Sequence, residues 1–203
     1  MTKKMTGGEA MAMAAKANGI KQVFGIPGAQ VYPLFDAFAR KDFDVIIPRH
    51  EQTAGYMAMG AAKSTGKPSA MAVVPGPGVL NASAALCTAM GNCSEVLCMV
   101  GQVPSSYLGV GRGHLHELAD QAGTLNSIIK DAVRIDKPED SMAVMNAAFE
   151  TMTSGRPGPV SVEMCWDTMA QDWDVEISAG ATQRNKPEID LDLVKAAAQV
   201  ISS

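Results

Sequence analysis

The chain has 203 residues, 47% hydrophobic and 19% charged, with a mean hydropathy of +0.04. It is long enough to bury a sizeable core, and its composition excludes a disordered or collagen-like polymer. Its 17 Lys and Arg against 21 Asp and Glu give a net charge of −4 without any basic stripe, so nucleic acid is not an expected partner. No stretch approaches the roughly 20 apolar residues of a membrane span. The start, Met1-Thr-Lys-Lys-Met-Thr-Gly-Gly8, lacks the apolar segment of a secretory signal. A cytoplasmic protein with no membrane contact is expected.

Thr6-Gly-Gly-Glu9 has the spacing of a capping box, and the Ala/Met-rich run behind it predicts a helix that Gly19 stops. Gln22-Val-Phe-Gly-Ile26 is short and β-prone, Pro27-Gly28 turns the chain, and residues 31–39 have helical apolar spacing. The unit repeats. Asp44-Val-Ile-Ile47 precedes a helix over 51–64, and Ala70-Met-Ala-Val-Val74 precedes one over 80–90. A strand follows at 95–100, then a helix over 139–152 and a strand at Pro159-Val-Ser-Val-Glu-Met164. Near-continuous apolar strands alternating with helices predict an α/β fold: an open parallel sheet with helices on both faces, a three-layer sandwich.

Residues 102–117, with Gly109, Gly111 and Gly113, read as a long loop leaving the sheet's carboxyl edge. Residues 168–187, poor in large aliphatic side chains and ending in Arg184-Asn-Lys-Pro187, read as a linker after a domain spanning 1–167. Residues 188–203 then hold an amphipathic helix with nothing behind it. The four cysteines, Cys87, Cys93, Cys98 and Cys165, form no Cys-x-x-Cys pair and read as reduced, buried thiols. The many methionines read as gap-filling core residues.

Open parallel sheets bind ligands outside the carboxyl ends of their strands. The segments there are Gly25-Ile-Pro-Gly-Ala29, Pro48-Arg-His-Glu-Gln52, Pro75-Gly-Pro-Gly78 and Gly101-Gln102. Gly-Pro-Gly between a strand and a helix lets backbone approach a ligand closely. Glu51 is placed at a helix start, where the dipole favours its ionised form and the crevice lies in front of it.

Together these residues resemble the thiamine diphosphate-dependent enzymes typified by acetolactate synthase and benzoylformate decarboxylase, over their N-terminal, pyrimidine-binding domain. The resemblance is carried in order by Val23-Phe-Gly-Ile-Pro-Gly28, Arg49-His-Glu-Gln52, Ala61-Ala-Lys-Ser-Thr-Gly-Lys-Pro68, Gly76-Pro-Gly78 with Asn81, Gly101-Gln102 and Gly155-Arg-Pro-Gly-Pro-Val160. It implies that the Glu51 carboxyl hydrogen-bonds a ring nitrogen of the cofactor's aminopyrimidine and so promotes the tautomer that serves as internal base. Pro27, Gly28, Gly76, Pro77 and Gly78 would line the pyrimidine, with Asn81 supporting the loop. Ala29, His50 and Gln102 would lie on the substrate side.

The implied substrate is a 2-oxo acid, decarboxylated or joined through its acyl carbanion to a second acceptor. Alanine at position 29, where some decarboxylating relatives carry a hydroxyl, tilts the expectation toward an acetolactate synthase-like carboligase. Two features depart from the family pattern. Val74-Pro75 stands where members often carry hydroxyl residues, and no Gly-Asp-Gly motif for the diphosphate and its Mg2+ occurs. The resemblance therefore implies the N-terminal third of a longer homo-oligomeric enzyme, with the active site at a subunit interface. Mg2+ would be held by a C-terminal domain, and any FAD would depend on a middle domain that begins with the helix in 188–203.

A natural small subunit of a two-chain decarboxylase is the enzymatic alternative, opposed by the linker and the orphan helix. A nucleotide-binding domain fits less well, because neither glycine cluster has the Gly-x-Gly-x-x-Gly pattern between a strand and a helix. A non-catalytic scaffold is opposed by the presence of Glu51. His114-Leu-His116-Glu117 reads as a polar loop near a subunit interface, shaping substrate access, rather than as a metal site.

Overall fold

The computed structural model describes residues 2–181 and 188–203. In chain order the elements are β1 (Thr2–Thr6), α1 (Gly7–Ala17), β2 (Gln22–Gly25), α2 (Tyr32–Arg40), β3 (Asp44–Ile46), α3 (Glu51–Thr65), β4 (Ser69–Val73) and α4 (Pro77–Gly91). There follow β5 (Val96–Gln102), α5 (Gln121–Asn126), β6 (Asp131–Arg134), α6 (Ser141–Thr153), β7 (Val160–Cys165), α7 (Trp166–Ala170), β8 (Asp172–Glu176) and α8 (Leu191–Ser202).

Local chemistry sets the first element. The Thr6 hydroxyl accepts from the Glu9 amide at 3.1 Å and caps α1. The return half of the capping box is not made. The Glu9 carboxylate instead pairs with Lys41 at 2.7 Å and Arg40 at 3.5 Å, tying α1 to the end of α2. Gly19, at φ +92°, turns the chain after the helix, a conformation that glycine adopts without strain.

Six strands form a sheet in the order β3-β2-β4-β5-β7-β6, parallel throughout. Successive side chains alternate between its faces. Val23, Ala70, Ala72, Leu97, Met99, Val160 and Val162 pack with Met11, Leu34, Phe38, Met145 and Phe149 from α1, α2 and α6. Phe24, Met71, Val73, Val96, Cys98 and Val100 pack with Ala54, Ala58, Ala82, Leu86 and Leu125 from α3, α4 and α5. Both faces are thus covered, giving the three-layer sandwich. Many methionines do fill the core, Met11, Met71, Met99, Met145, Met152 and Met164 being fully buried.

Five elements, β1, α5, β6, α7 and β8, lie outside the sequence expectation. The edge strand β6 has only Ala132 and Val133 between Asp131 and Arg134, too little apolar signal for a periodicity argument. Where a linker is predicted from Thr168, the chain makes most of α7 and then β8, which pairs antiparallel with β1. The reason is a small satellite core: Val175 and Trp173 pack on Met5 and Ala10, and the Trp173 indole N–H donates to the Thr168 carbonyl at 3.1 Å. The Ala181 amide still donates to Asn18 Oδ1 at 2.9 Å. The remaining predicted linker, including Arg184-Asn-Lys-Pro187, lies outside the described residues, as does Met1. Helix α8 is capped by Asp190 and buries none of its residues. No described helix is long and apolar enough to cross a membrane.

Strand order positions the site. The connection from β2 runs outward to β3, the next returns past β2 to β4, and the one from β4 continues in that direction to β5, opposite to the exit from β2. Between the carboxyl ends of β2 and β4 lies the reversal point at which ligands bind in such sheets. On the same side, α3 and α4 approach closely because Gly55 faces Ala85. A Cβ at position 55 would lie 2.6 Å from the Ala85 Cβ, whereas one at Gly60 would meet nothing within 4 Å. Gly55→Leu is expected to lower unfolding free energy by about 1–3 kcal/mol through overpacking. Gly60→Ala should raise it by about 0.5–1 kcal/mol through helix propensity. Urea unfolding of the two variants checks the contrast.

Candidate functional site

Two loops meet at the reversal point because glycines leave room for one valine. A Cβ at Gly28 would lie 2.4 Å from Val74 Cγ1, and one at Gly78 would lie 2.7 Å from Val74 Cγ2. Val74 thus fills the space beside both backbones, and no hydroxyl stands there. Gly76 has φ 59° and ψ −113° and caps the N-terminus of α4. A side chain there would be strained, and its Cβ would sit 2.5 Å from the His116 carbonyl oxygen. Pro27 and Pro77 are exposed, Gly28 and Ala29 half-buried, and Gly76 and Gly78 buried.

Glu51 opens α3 and is half-buried. The Asn81 amide on α4 donates to its Oε2 at 2.9 Å. Asn81 therefore fixes the carboxylate itself, and the other carboxylate oxygen makes no hydrogen bond among the described residues. His50 is the N-cap of α3, its ring Nδ1 accepting from the Gln52 amide at 3.2 Å. That role engages one ring nitrogen on the exposed edge.

Gln102, expected on the substrate side, is 3% exposed. Its Nε2 donates to Glu163 Oε2 at 3.3 Å, and its Oε1 accepts from the Val103 amide at 2.8 Å. Beside it a cavity of about 290 Å³ is lined by Leu108, Glu117, Gln121 and Arg134 among others. At the reversal point Gly28 and Gly78 meet on Val74 and Gly76 caps α4, Asn81 on α4 bonds Glu51 on α3, and Gln102 is buried against Glu163.

That loop folds back over the sheet's carboxyl edge. The Ser105 amide and hydroxyl donate to the Asp167 carboxylate at 2.9 and 2.6 Å. Gln30, 2% exposed, donates to the Leu115 carbonyl at 3.1 Å and meets His116 Nδ1 at 3.1 Å through its Oε1. His114 stacks near Tyr107, ring centroids 4.3 Å apart. Gly109, Gly111 and Gly113 all have φ near +70° and open no helix, which disposes of a dinucleotide-binding turn. Gln30, Gln121 and Glu163 are absent from the candidates read in the sequence, and His116 reads there only as part of a polar loop. Each is a polar residue in a loop or among apolar neighbours, and only the tertiary fold reveals its partner.

Cys98 and Cys165 are buried, as the sequence predicts, and burial pushes both thiols up to about 12, disfavouring the reactive thiolate. Cys87, expected to be buried, is exposed, and Cys93 is intermediate. Cys87 sits on the solvent side of α4, where the apolar stripe runs through Ala82, Leu86 and Ala89 instead.

Comparison with known proteins decides the family. Residues 5–124 match the thiamine pyrophosphate enzyme, N-terminal TPP binding domain. This chain belongs to that family. Among its relatives is a probable acetolactate synthase large subunit of Methanocaldococcus jannaschii, 36% identical over 172 residues, covering 85% of this chain and 29% of the relative. The mitochondrial acetolactate synthase catalytic subunit of Saccharomyces cerevisiae is 36% identical over 167 residues, 82% of this chain and 24% of the relative. Acetolactate synthase isozyme 1 large subunit of Escherichia coli is 32% identical over 203 residues, 99% of this chain and 36% of the relative. The chain is thus similar to the N-terminal domain of acetolactate synthase-like thiamine pyrophosphate enzymes, and spans about a quarter to a third of these relatives' length.

In this thiamine pyrophosphate enzyme domain the covering loop holds a carboxylate on its own backbone amides. The His114 amide, joined by those of Gly111 and Gly113, holds the Glu117 carboxyl below its usual range. A depressed folded value gives a contribution that is present above the unfolded value of about 4.3 and lost as pH falls through the folded one. Amide exchange should therefore show residues 111–114 losing protection on acidification below that range. Glu117→Gln should weaken that protection at neutral pH and flatten its pH dependence.

Proposed function

We propose that this domain binds the aminopyrimidine of thiamine diphosphate and works as the N-terminal part of an acetolactate synthase-like enzyme that acts on 2-oxo acids. The observation that carries the proposal is Glu51, presented at the N-terminus of α3 beside the reversal point and held there by Asn81. A flat heteroaromatic ring with a hydrogen-bonding edge suits this crevice. Its walls are backbone, since Cβ atoms at Gly28 and Gly78 have no room, and its floor is the apolar Val74. Glu51 would be the carboxylate at the ring's edge. Glu51 would share a proton with a ring nitrogen, and Asn81 would keep the carboxylate in plane with it. Gly28, Gly76 and Gly78, with Pro27 and Pro77, would pack on the ring faces.

When bound, the cofactor supplies a nucleophilic carbon for cleaving or forming the carbon-carbon bond next to a carbonyl. The protein's part is to orient the ring, exclude water and hold one proton at Glu51. With His50 committed through one nitrogen to the α3 cap and Gln102 to Glu163, Ala29 is the remaining sequence candidate on the substrate side. The carboligase reading rests on Ala29 and on the relatives' names. The diphosphate and its Mg2+ would be held by a further domain, and α8, whose Leu191, Leu193, Val194, Val200 and Ile201 are all exposed, would begin the domain between.

A second subunit would complete the site. Ile47 and Leu80, each at least half exposed at 59% and 50%, and Tyr56 at 39% lie on the β3, α3 and α4 side around Glu51 and Asn81. An apolar surface there suits a homo-oligomer with the active site at its interface. Free cysteines fit a reducing compartment such as the cytoplasm.

The test is Glu51→Gln in the longest reading frame that contains this chain, assayed with 2-oxo acids, thiamine diphosphate and Mg2+. Turnover should fall about 10²–10⁴-fold, with the melting temperature little changed because Glu51 lies at a half-exposed helix start. Near-normal turnover would overturn the role of Glu51. Cofactor binding only after mixing with a separate polypeptide would replace the single-chain enzyme with a two-chain one.

A further inference from the structure

We propose that Gln121 is the positioning residue of the Gly-Pro-Gly turn, holding Gly76 and through it the Asn81–Glu51 pair in register for the cofactor's pyrimidine. The proposal rests on the reading of that crevice as a thiamine diphosphate site. Gln121 opens α5 and is 2% exposed. Its Oε1 accepts from the Gly76 amide at 3.1 Å, and its Nε2 donates to the Gly101 carbonyl at 3.1 Å and to Glu163 Oε2 at 2.6 Å. The orientation of this side-chain amide is fixed by chemistry. A carboxylate and a carbonyl only accept, so the NH2 faces them and the oxygen faces the Gly76 N–H.

Glu163 is itself immobilised. It is 2% exposed on β7, and Arg134 on β6 donates to its Oε1 through Nε at 2.6 Å and Nη2 at 2.5 Å. Gln102 adds a third donor from β5 at 3.3 Å. The Arg134–Glu163 pair joins a buried carboxylate to a partly exposed guanidinium, 2% and 31% exposed; ion pairs at buried sites contribute little net stability compared with an apolar pair of the same volume, and their best-attested use is to specify one arrangement. Here the arrangement specified is that of Gln121, and the last group Gln121 holds is the glycine that caps α4 at φ 59° and ψ −113°. Asn81 stands one turn into that helix and bonds Glu51. A shift at Gly76 therefore moves one wall of the crevice and the support of its carboxylate together.

Two variants of the longest reading frame that contains this chain test the proposal. Gln121→Leu fills similar volume without an acceptor for Gly76. In the cofactor-free protein, amide exchange should accelerate over residues 74–81 while α1 and β5 keep their protection. In the presence of Mg2+, calorimetry should show thiamine diphosphate binding about tenfold more weakly, or about 1.4 kcal/mol, the size of one hydrogen bond. Gln121→Glu provides the rescue. Protonated, the introduced carboxyl accepts from Gly76 through its carbonyl and donates its O–H to Glu163. Ionised, it opposes Glu163.

Around the introduced group stand Glu163 on β7, Arg134 on β6, Glu117 and Asp120 at the shared cavity, and His116 against Gly76. Affinity in Gln121→Glu should approach the wild-type value at low pH and fall more steeply than the wild type as pH rises. Unchanged exchange over 74–81 and unchanged affinity in Gln121→Leu would overturn the proposal. So would a pH profile of Gln121→Glu parallel to the wild type, which decides the matter if Gln121→Leu does not fold. A wild-type protein that binds no thiamine diphosphate would instead remove the reading of the crevice, and the exchange result would still judge the role of Gln121.

Discussion

Val74 sits where β4 ends, and its two methyl groups occupy the space that side chains at Gly28 and Gly78 would need, 2.4 and 2.7 Å from the Cβ positions. That close approach joins the exits of two adjacent strands whose connections leave in opposite directions. Parallel sheets make crevices at such reversals, and here the crevice is walled by backbone because no larger residue fits. The same economy recurs below it, where a Cβ at Gly25 would fall 2.2 Å from the Ala72 carbonyl oxygen. Small residues draw the layers together, and the candidate groups are then set by what the helix starts present. Glu51 begins α3, Gly76 caps α4, and Asn81 bridges the two helices.

Polar chemistry beneath the covering loop is organised as one chain that runs inward from the partly exposed Arg134. Arg134, Glu163, Gln121 and Gly76 are linked donor to acceptor from the edge strand to the crevice. Each buried acceptor in that chain has a donor, as a low-dielectric interior requires. The loop over it is pinned at one end by Ser105 on Asp167 and at the other by Gln30 on Leu115 and His116. Its length thus serves to roof the sheet edge, and its glycines, at φ near +70°, supply the turns.

Much of this was legible in the amino-acid order. Buried parallel strands such as Ala70-Met-Ala-Val-Val74 are nearly all apolar, and helices such as α6 keep an apolar stripe, so the layers followed from periodicity. The crevice residues followed from asking what lies just after each strand. Periodicity is silent where two residues carry an element, as in β6, or where a strand is stabilised by a distant partner, as β8 is by β1. It is equally silent on Gln121 and Gln30, whose meaning lies in which carbonyl or amide the fold brings opposite them. Gln102, expected on the substrate side, is held against Glu163 by its side-chain amide. Asn81, expected to support a loop, donates its amide to the Glu51 carboxylate instead.

The most direct measurement is an experimental structure of the full-length protein with thiamine diphosphate and Mg2+ bound. The account predicts the aminopyrimidine between Gly28 and the Gly76-Pro-Gly78 turn, with a ring nitrogen within hydrogen-bond reach of Glu51 and the diphosphate held outside this domain. A pyrimidine bound elsewhere, or a Glu51 carboxylate facing solvent with no contact to the ring, would contradict it.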